Sequence, residues 1–215
     1  MPGIPHFGFP FLPDGTVFGQ LAFLQLGPGT GTFNVPDGTK QIIAIAVGGG
    51  QGGQGGSTPA GTHTGGISGY CGGWNVTFIS NPPAVLPYTV GAGGAGGVPG
   101  IFPPGGTNGA SGGDVILNGT TIAGGGTNLG NGAGFTLGTR EAASGELGGR
   151  GAQSFFNLRD QRAQTALAPR TASGVNGITG PNPGDGGWGG GFNANGGNGA
   201  DGLMLVAFLT NYYVV

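Results

Sequence analysis

Residues 41–56 read QIIAIAVGGGQGGQGG, and this junction decides the fold. After Gln41, the six residues 42–47 are β-branched or small and apolar on both faces, which marks a strand buried on both sides. The chain then runs directly into polyglycine. Gly-rich tracts adopt the extended, left-handed polyproline II geometry, which makes no internal hydrogen bonds. A buried tract must therefore bond to neighbouring segments. Lacking Cβ atoms, several such tracts can approach closely and satisfy one another. The expectation is a stack of polyglycine-type helices capped by β-structure.

The same alternation recurs outward from the junction. Upstream, TFNV at 32–35 and the turn signal PDGT at 36–39 suggest a hairpin whose second strand is 41–47. Downstream, short apolar pieces at 74–79, 85–90 and 113–124 separate the Gly tracts at 91–97, 105–113 and 124–134. The piece GDVILNGTTIAG carries Asn118-Gly119 at its centre, a tight hairpin signal. Polyglycine returns at 180–202, followed by an apolar strand at 202–209 and the tail TNYYVV. That tail either pairs in the sheet or meets copies of itself. The predicted fold class is mainly β with polyglycine and polyproline II segments. Sandwich-like strands cap a glycine-rich core, with one short helix at most.

Composition narrows the function classes. The 215 residues include 57 Gly and 16 Pro, yet 13 Phe and a net charge of −2 argue against disorder. Gly inside regular structure costs about 0.5–1 kcal/mol relative to Ala, so tight backbone packing or association with other chains must offset it. Only 7% of residues are charged, which provides no footprint for nucleic acid. The longest apolar run, at 203–209, is far shorter than the roughly 20 residues a membrane-spanning helix needs. One Cys and two His rule out a disulfide framework and show no zinc spacing. GGGQGGQGGST lacks the Lys of a phosphate-binding loop. GAGGAG at 91–96 fits a dinucleotide fingerprint but leads into VPGIFPP rather than a helix. The chain is read as non-catalytic, with no cofactor and no metal.

Two regions stand apart. Residues 1–30 form a Phe/Pro-rich arm or docking-strand region. There Phe7, Phe9 and Phe11, at a spacing of two, share one face of an extended segment. They pack on their own domain or dock on another protein. A turn at 13–16 and a strand at 17–26 follow. The glycine-rich domain then covers 31–215, with a less Gly-rich insertion at 139–175 that holds Arg140, Arg150, Arg159, Arg162 and Arg170. Its stretch 154–168 is the one helix candidate, capped by Ser154 and ended by Pro169. The insertion is a loop or an exposed contact element. Aromatics within or beside Gly tracts supply contact area at low entropy cost. These are Tyr70, Trp74, Phe78, Phe102, Trp188 and Phe192. Each is a structural ring or a receptor contact.

The order of these elements resembles the glycine-rich domain at the ends of bacteriophage tail fibres and related adhesins. The likeness rests on GTFNVPDGTKQIIAIAVGGGQGGQGG opening into polyglycine, on LPYTVGAGGAGG and GGDVILNGTTIAGGG, and on the closing GNGADGLMLVAF. It spans about 30–138 and 180–209; the 139–175 insertion departs from it. The resemblance implies a virion location at a tail or fibre tip, assembly in the host cytoplasm and a homotrimer or docking on a trimeric fibre. It also implies adsorption to a host receptor, a sugar or an outer-membrane protein. Opening at Met1 with a Phe/Pro arm suggests a separate small virion protein held by other tail proteins. The alternative is a purely structural virion component, such as a tail-tip, head-fibre or decoration protein. A non-viral wall or matrix protein and an unrecognised enzyme follow behind.

Overall fold

The computed structural model describes residues 17–60, 63–101, 106–127 and 171–212. The Phe7, Phe9 and Phe11 arm, Phe102 and the helix candidate at 154–168 lie outside the described residues, which contain no helix. The protein is mainly β. Among the described residues eight strands, β1 (Val17–Leu26), β2 (Gly29–Asn34), β3 (Thr39–Val47), β4 (Trp74–Ser80), β5 (Val85–Val90), β6 (Val115–Leu117), β7 (Thr120–Ala123) and β8 (Leu203–Tyr212), form two antiparallel sheets. One sheet runs β1-β8-β3-β4 and the other β2-β5-β6-β7.

The apolar core lies between them. Ile42, Ala44 and Ala46 of β3 and Met204, Val206 and Phe208 of β8 face Phe33, Leu86, Val90, Val115, Leu117 and Ile122 of the second sheet. Phe208 meets Phe33 edge-on across the interface, with centroids 5.9 Å apart at 72°. The tail residues Thr210, Asn211 and Tyr212 pair in the first sheet, with Thr39, Phe18 and Val17 respectively. β1 pairs with β8, so this part of the 1–30 region is an integral strand.

One local expectation is overturned. The strands flanking PDGT at 36–39 do not pair as a hairpin: β2 lies beside β5 and β3 lies between β8 and β4. Val35 still donates to Ala84 O at 2.8 Å, but Pro36 has no N–H with which to extend a ladder. Gly38, at φ +78, completes a turn in which Thr39 N and Oγ1 both reach Pro36 O. The turn therefore carries the chain from one sheet to the other. β3 is apolar on both faces and finds two flanking strands there.

The other turn forms as expected. Asn118 and Gly119 sit at φ +51 and +76 and join β6 to β7. A β-branched residue in that left-handed region costs about 1–2 kcal/mol. Gly119→Val should therefore lower the melting temperature by roughly 2–8 °C, read by thermal unfolding.

Six strands continue into, or emerge from, glycine segments that form the second half of the molecule. The 48–57 segment, leaving β3, is central. Each of its ten amides donates to a neighbour, in strict three-residue rotation. Residues 48, 51, 54 and 57 donate to 73, 70, 67 and 64; residues 49, 52 and 55 to 113, 110 and 107; residues 50, 53 and 56 to 200, 197 and 194. Three residues per turn is the period of polyproline II. Carbonyls on the same segment accept from 94, 97 and 100, and from 187, 190 and 193.

The neighbours also bond to each other and close a ring. In order around the centre it runs 64–73, 184–193, 194–202, 91–100, 106–113 and 124–127, and Gly73 N donating to Gly124 O returns to the start. The outer segment 174–180 bonds to 184–193 and 192–198.

Side chains complete the network where backbone partners are missing. Gln51 Oε1 accepts from Tyr70 N at 3.1 Å while its Nε2 donates to Gly109 O at 3.2 Å. Gln54 repeats this one turn along, with Ile67 N and Gly106 O. Outward-facing amides of 91–100 are received by side chains of the adjacent segment. Gly93 N donates to Asp201 Oδ1 and Gly96 N to Asn198 Oδ1, each at 2.9 Å. The next position in that series is Pro99, which has no amide to satisfy.

Candidate functional site

The bundle has two unlike ends. Segments 48–57 and 91–100 leave the sandwich, and 64–73, 106–113 and 194–202 return to it. Their turns therefore gather at the end furthest from the strands. With a rise of about 3.1 Å per residue, a ten-residue segment places that end roughly 30 Å from the sandwich.

Backbone bonds fix the turns to one another. Ser57 N donates to Thr64 O, Thr58 N to Gly100 O, Gly100 N to Gly56 O and Asn193 N to Ser57 O, at 2.7–3.1 Å. Ser57 Oγ also accepts from Thr64 N at 2.8 Å. Here the His63 ring stacks on Phe192, with centroids 4.4 Å apart and planes 15° from parallel. His63 and Asn193 both hold positive φ, so the backbone on each side bends to bring the rings together. Ile101, 62% exposed, and Val175, 51% exposed, lie on the adjoining turns. This end thus offers a flat aromatic pair bordered by apolar side chains on a rigid base.

The aromatic residues singled out in the sequence are dispersed. Phe192 lies at the loop end. Tyr70 and Trp188 are half-buried on 64–73 and 184–193, where their backbones belong to the network. Trp74 begins β4, and Phe78, 60% exposed, lies on the same face of that strand. His63 escaped sequence reasoning, because a lone His in a Gly/Thr loop carries no local signal of its partner 129 positions away.

A second surface lies at the opposite end. The outer face of the first sheet carries the row Phe23, Ala207, Ile43, Phe78 and, beside it, Gln25, Leu205, Ile45, Val76. Phe23 and Phe78 are 53% and 60% exposed, and neither row contains a charge. Among the described residues no three His, Cys, Asp or Glu side chains gather as a metal-holding group. No helix among them is long and apolar enough to cross a membrane. No protein-family model matches the chain, and no curated protein matches it.

Proposed function

We propose that the chain is a bacteriophage virion protein of the tail or fibre tip that binds the host bacterial surface without catalysis. One observation carries this reading: a rigid, nearly uncharged bundle holds several turns and the His63–Phe192 pair at the end remote from the sandwich. Fixed turns and a preorganised ring pair favour recognition by shape, because little freedom is lost on binding. The partner is a surface sugar or outer-membrane protein. Fluorescently labelled protein should bind candidate host cells saturably and compete with the intact phage. His63→Ala/Phe192→Ala should reduce cell binding by about tenfold or more, the loss of roughly 1.4 kcal/mol, with little change in melting. Equal binding by the variant would remove the loop end from the site.

The uncharged outer face of the first sheet favours a further role as a structural virion component. Three copies turning these faces inward would enclose an apolar prism, with Phe23 and Phe78 at the two ends of the row through Ala207 and Ile43. No like charges would oppose that contact. Light scattering should give three times the 20.7 kDa chain mass. Phe23→Asp/Phe78→Asp should give a folded monomer. A trimer that survives this double substitution would exclude the face. A folded assembly that fails to bind any susceptible host would leave the structural role alone.

A further inference from the structure

A groove of about 510 Å³ runs along the side of the molecule, away from the loop end. One wall is the β1–β2 turn at Gly27-Pro28, another is the 179–183 turn, and the floor is the glycine-rich stretch 198–202. We propose that this groove is a binding site for a neutral oligosaccharide, distinct from the loop end.

The polar groups along it are few and held in place. Asn198 and Asp201 lie three residues apart on one polyproline II segment, so their side chains leave the same face about 9 Å apart. Each is fixed by one atom: Asn198 Oδ1 accepts from Gly96 N and Asp201 Oδ1 from Gly93 N. Asn198 Nδ2 and Asp201 Oδ2 remain without a bond within the described residues. Across the groove, Asn182 donates through N and Nδ2 to the buried Asp185, at 3.1 and 3.0 Å, leaving its Oδ1 as an acceptor. A donor and two acceptors are therefore oriented before any ligand arrives.

This set suits hydroxyl groups. Each hydroxyl both donates and accepts, so a carboxylate oxygen, an amide N–H and an amide oxygen can all be used by one polyol. The 9 Å separation matches two consecutive sugar rings better than one. Pro28, Pro181 and Pro183 add apolar surface for the C–H faces of the rings. Among the described residues Asp201 is the only ionisable one lining the groove, so anionic ligands meet repulsion and no compensating cation among them. One carboxylate is too few for a calcium site, which takes 6–8 oxygen ligands.

The test uses the full chain. Saturation-transfer NMR would be run with maltotriose, cellotriose, chitotriose and galactotriose, and with sialyllactose as an anionic control. At least one neutral trisaccharide should bind saturably and sialyllactose should not. Asp201→Ala and Asn198→Ala each remove the groove-lining polar group, and the glycine amides they release, Gly93 N and Gly96 N, belong to exposed bonds that water can replace. Each should weaken binding about tenfold, as expected for one lost hydrogen bond to a positioned group, while melting falls by no more than about 4 °C. If none of the four neutral trisaccharides binds, or if both variants bind as the parent does, the groove is not this site. His63→Ala/Phe192→Ala should leave the trisaccharide signal intact, which separates failure here from failure of the loop-end reading.

Discussion

Gly53→Val should leave no soluble, folded protein. Gly53 lies in the central segment, where its N donates to Gly197 O and its O accepts from Gly97 N, both at 2.8 Å. Its third side faces the 184–193 segment, and a Cβ there would fall inside the contact distance of the Trp188 carbonyl. Overpacking a core usually costs about 1–3 kcal/mol because side chains can shift. Here the obstacle is backbone, tied by its own bonds to further segments, so no rotamer change relieves it. We expect a loss above about 4 kcal/mol, a large part of the roughly 5–15 kcal/mol that stabilises a domain. Gly27→Ala is the control, since nothing lies within 4 Å of its would-be Cβ. That variant should express and melt like the parent. A cooperative melt for Gly53→Val within about 4 °C of the parent would contradict buried polyglycine packing.

Gln51→Leu should lower the melting temperature by on the order of 10 °C while retaining the fold. The substitution keeps the side chain close in size but strands two backbone groups, Tyr70 N and Gly109 O. Each unsatisfied buried group costs about 1–3 kcal/mol, and each kcal/mol moves the melting point of a chain this long by about 2–4 °C. Gln51 is 2% exposed, so water has little access to replace the lost amide. Ala95→Val, on the exposed side of the 91–100 segment, should change melting by only a few tenths of a kcal/mol, about 1 °C. If Gln51→Leu melts with its parent, the amide does not bridge the two segments energetically.

The side-chain pattern behind these effects is present in the sequence, though easily missed among so many glycines. Gln51, Gln54 and Ser57 recur at intervals of three, as do Asn198 and Asp201, and Ala92, Ala95 and Val98. In the structure the first two sets accept backbone amides of neighbouring segments, and the third set faces solvent. An interval of three along polyglycine is the counterpart of amphipathic periodicity in an α-helix, with one side chain per turn on a constant side. The receptor-contact candidates had no such pattern. Only ring type and proximity to glycine mark them, and the fold distributes the described ones between the sheet, the bundle and its loop end.

By itself the sequence determined the strands, the Asn118-Gly119 turn and the alternation of strand with polyglycine. Those features depend on residues within a few positions of one another: apolar runs, turn chemistry, and the absence of Cβ atoms. Tertiary structure alone decided that β2 and β3 part into different sheets, that 48–57 takes the centre and that His63 meets Phe192. Glycine segments carry almost no side-chain information about which neighbour they prefer. Their identity as partners is set by backbone bonds between residues from about ten to more than a hundred positions apart, which form only when the sandwich holds the segments side by side.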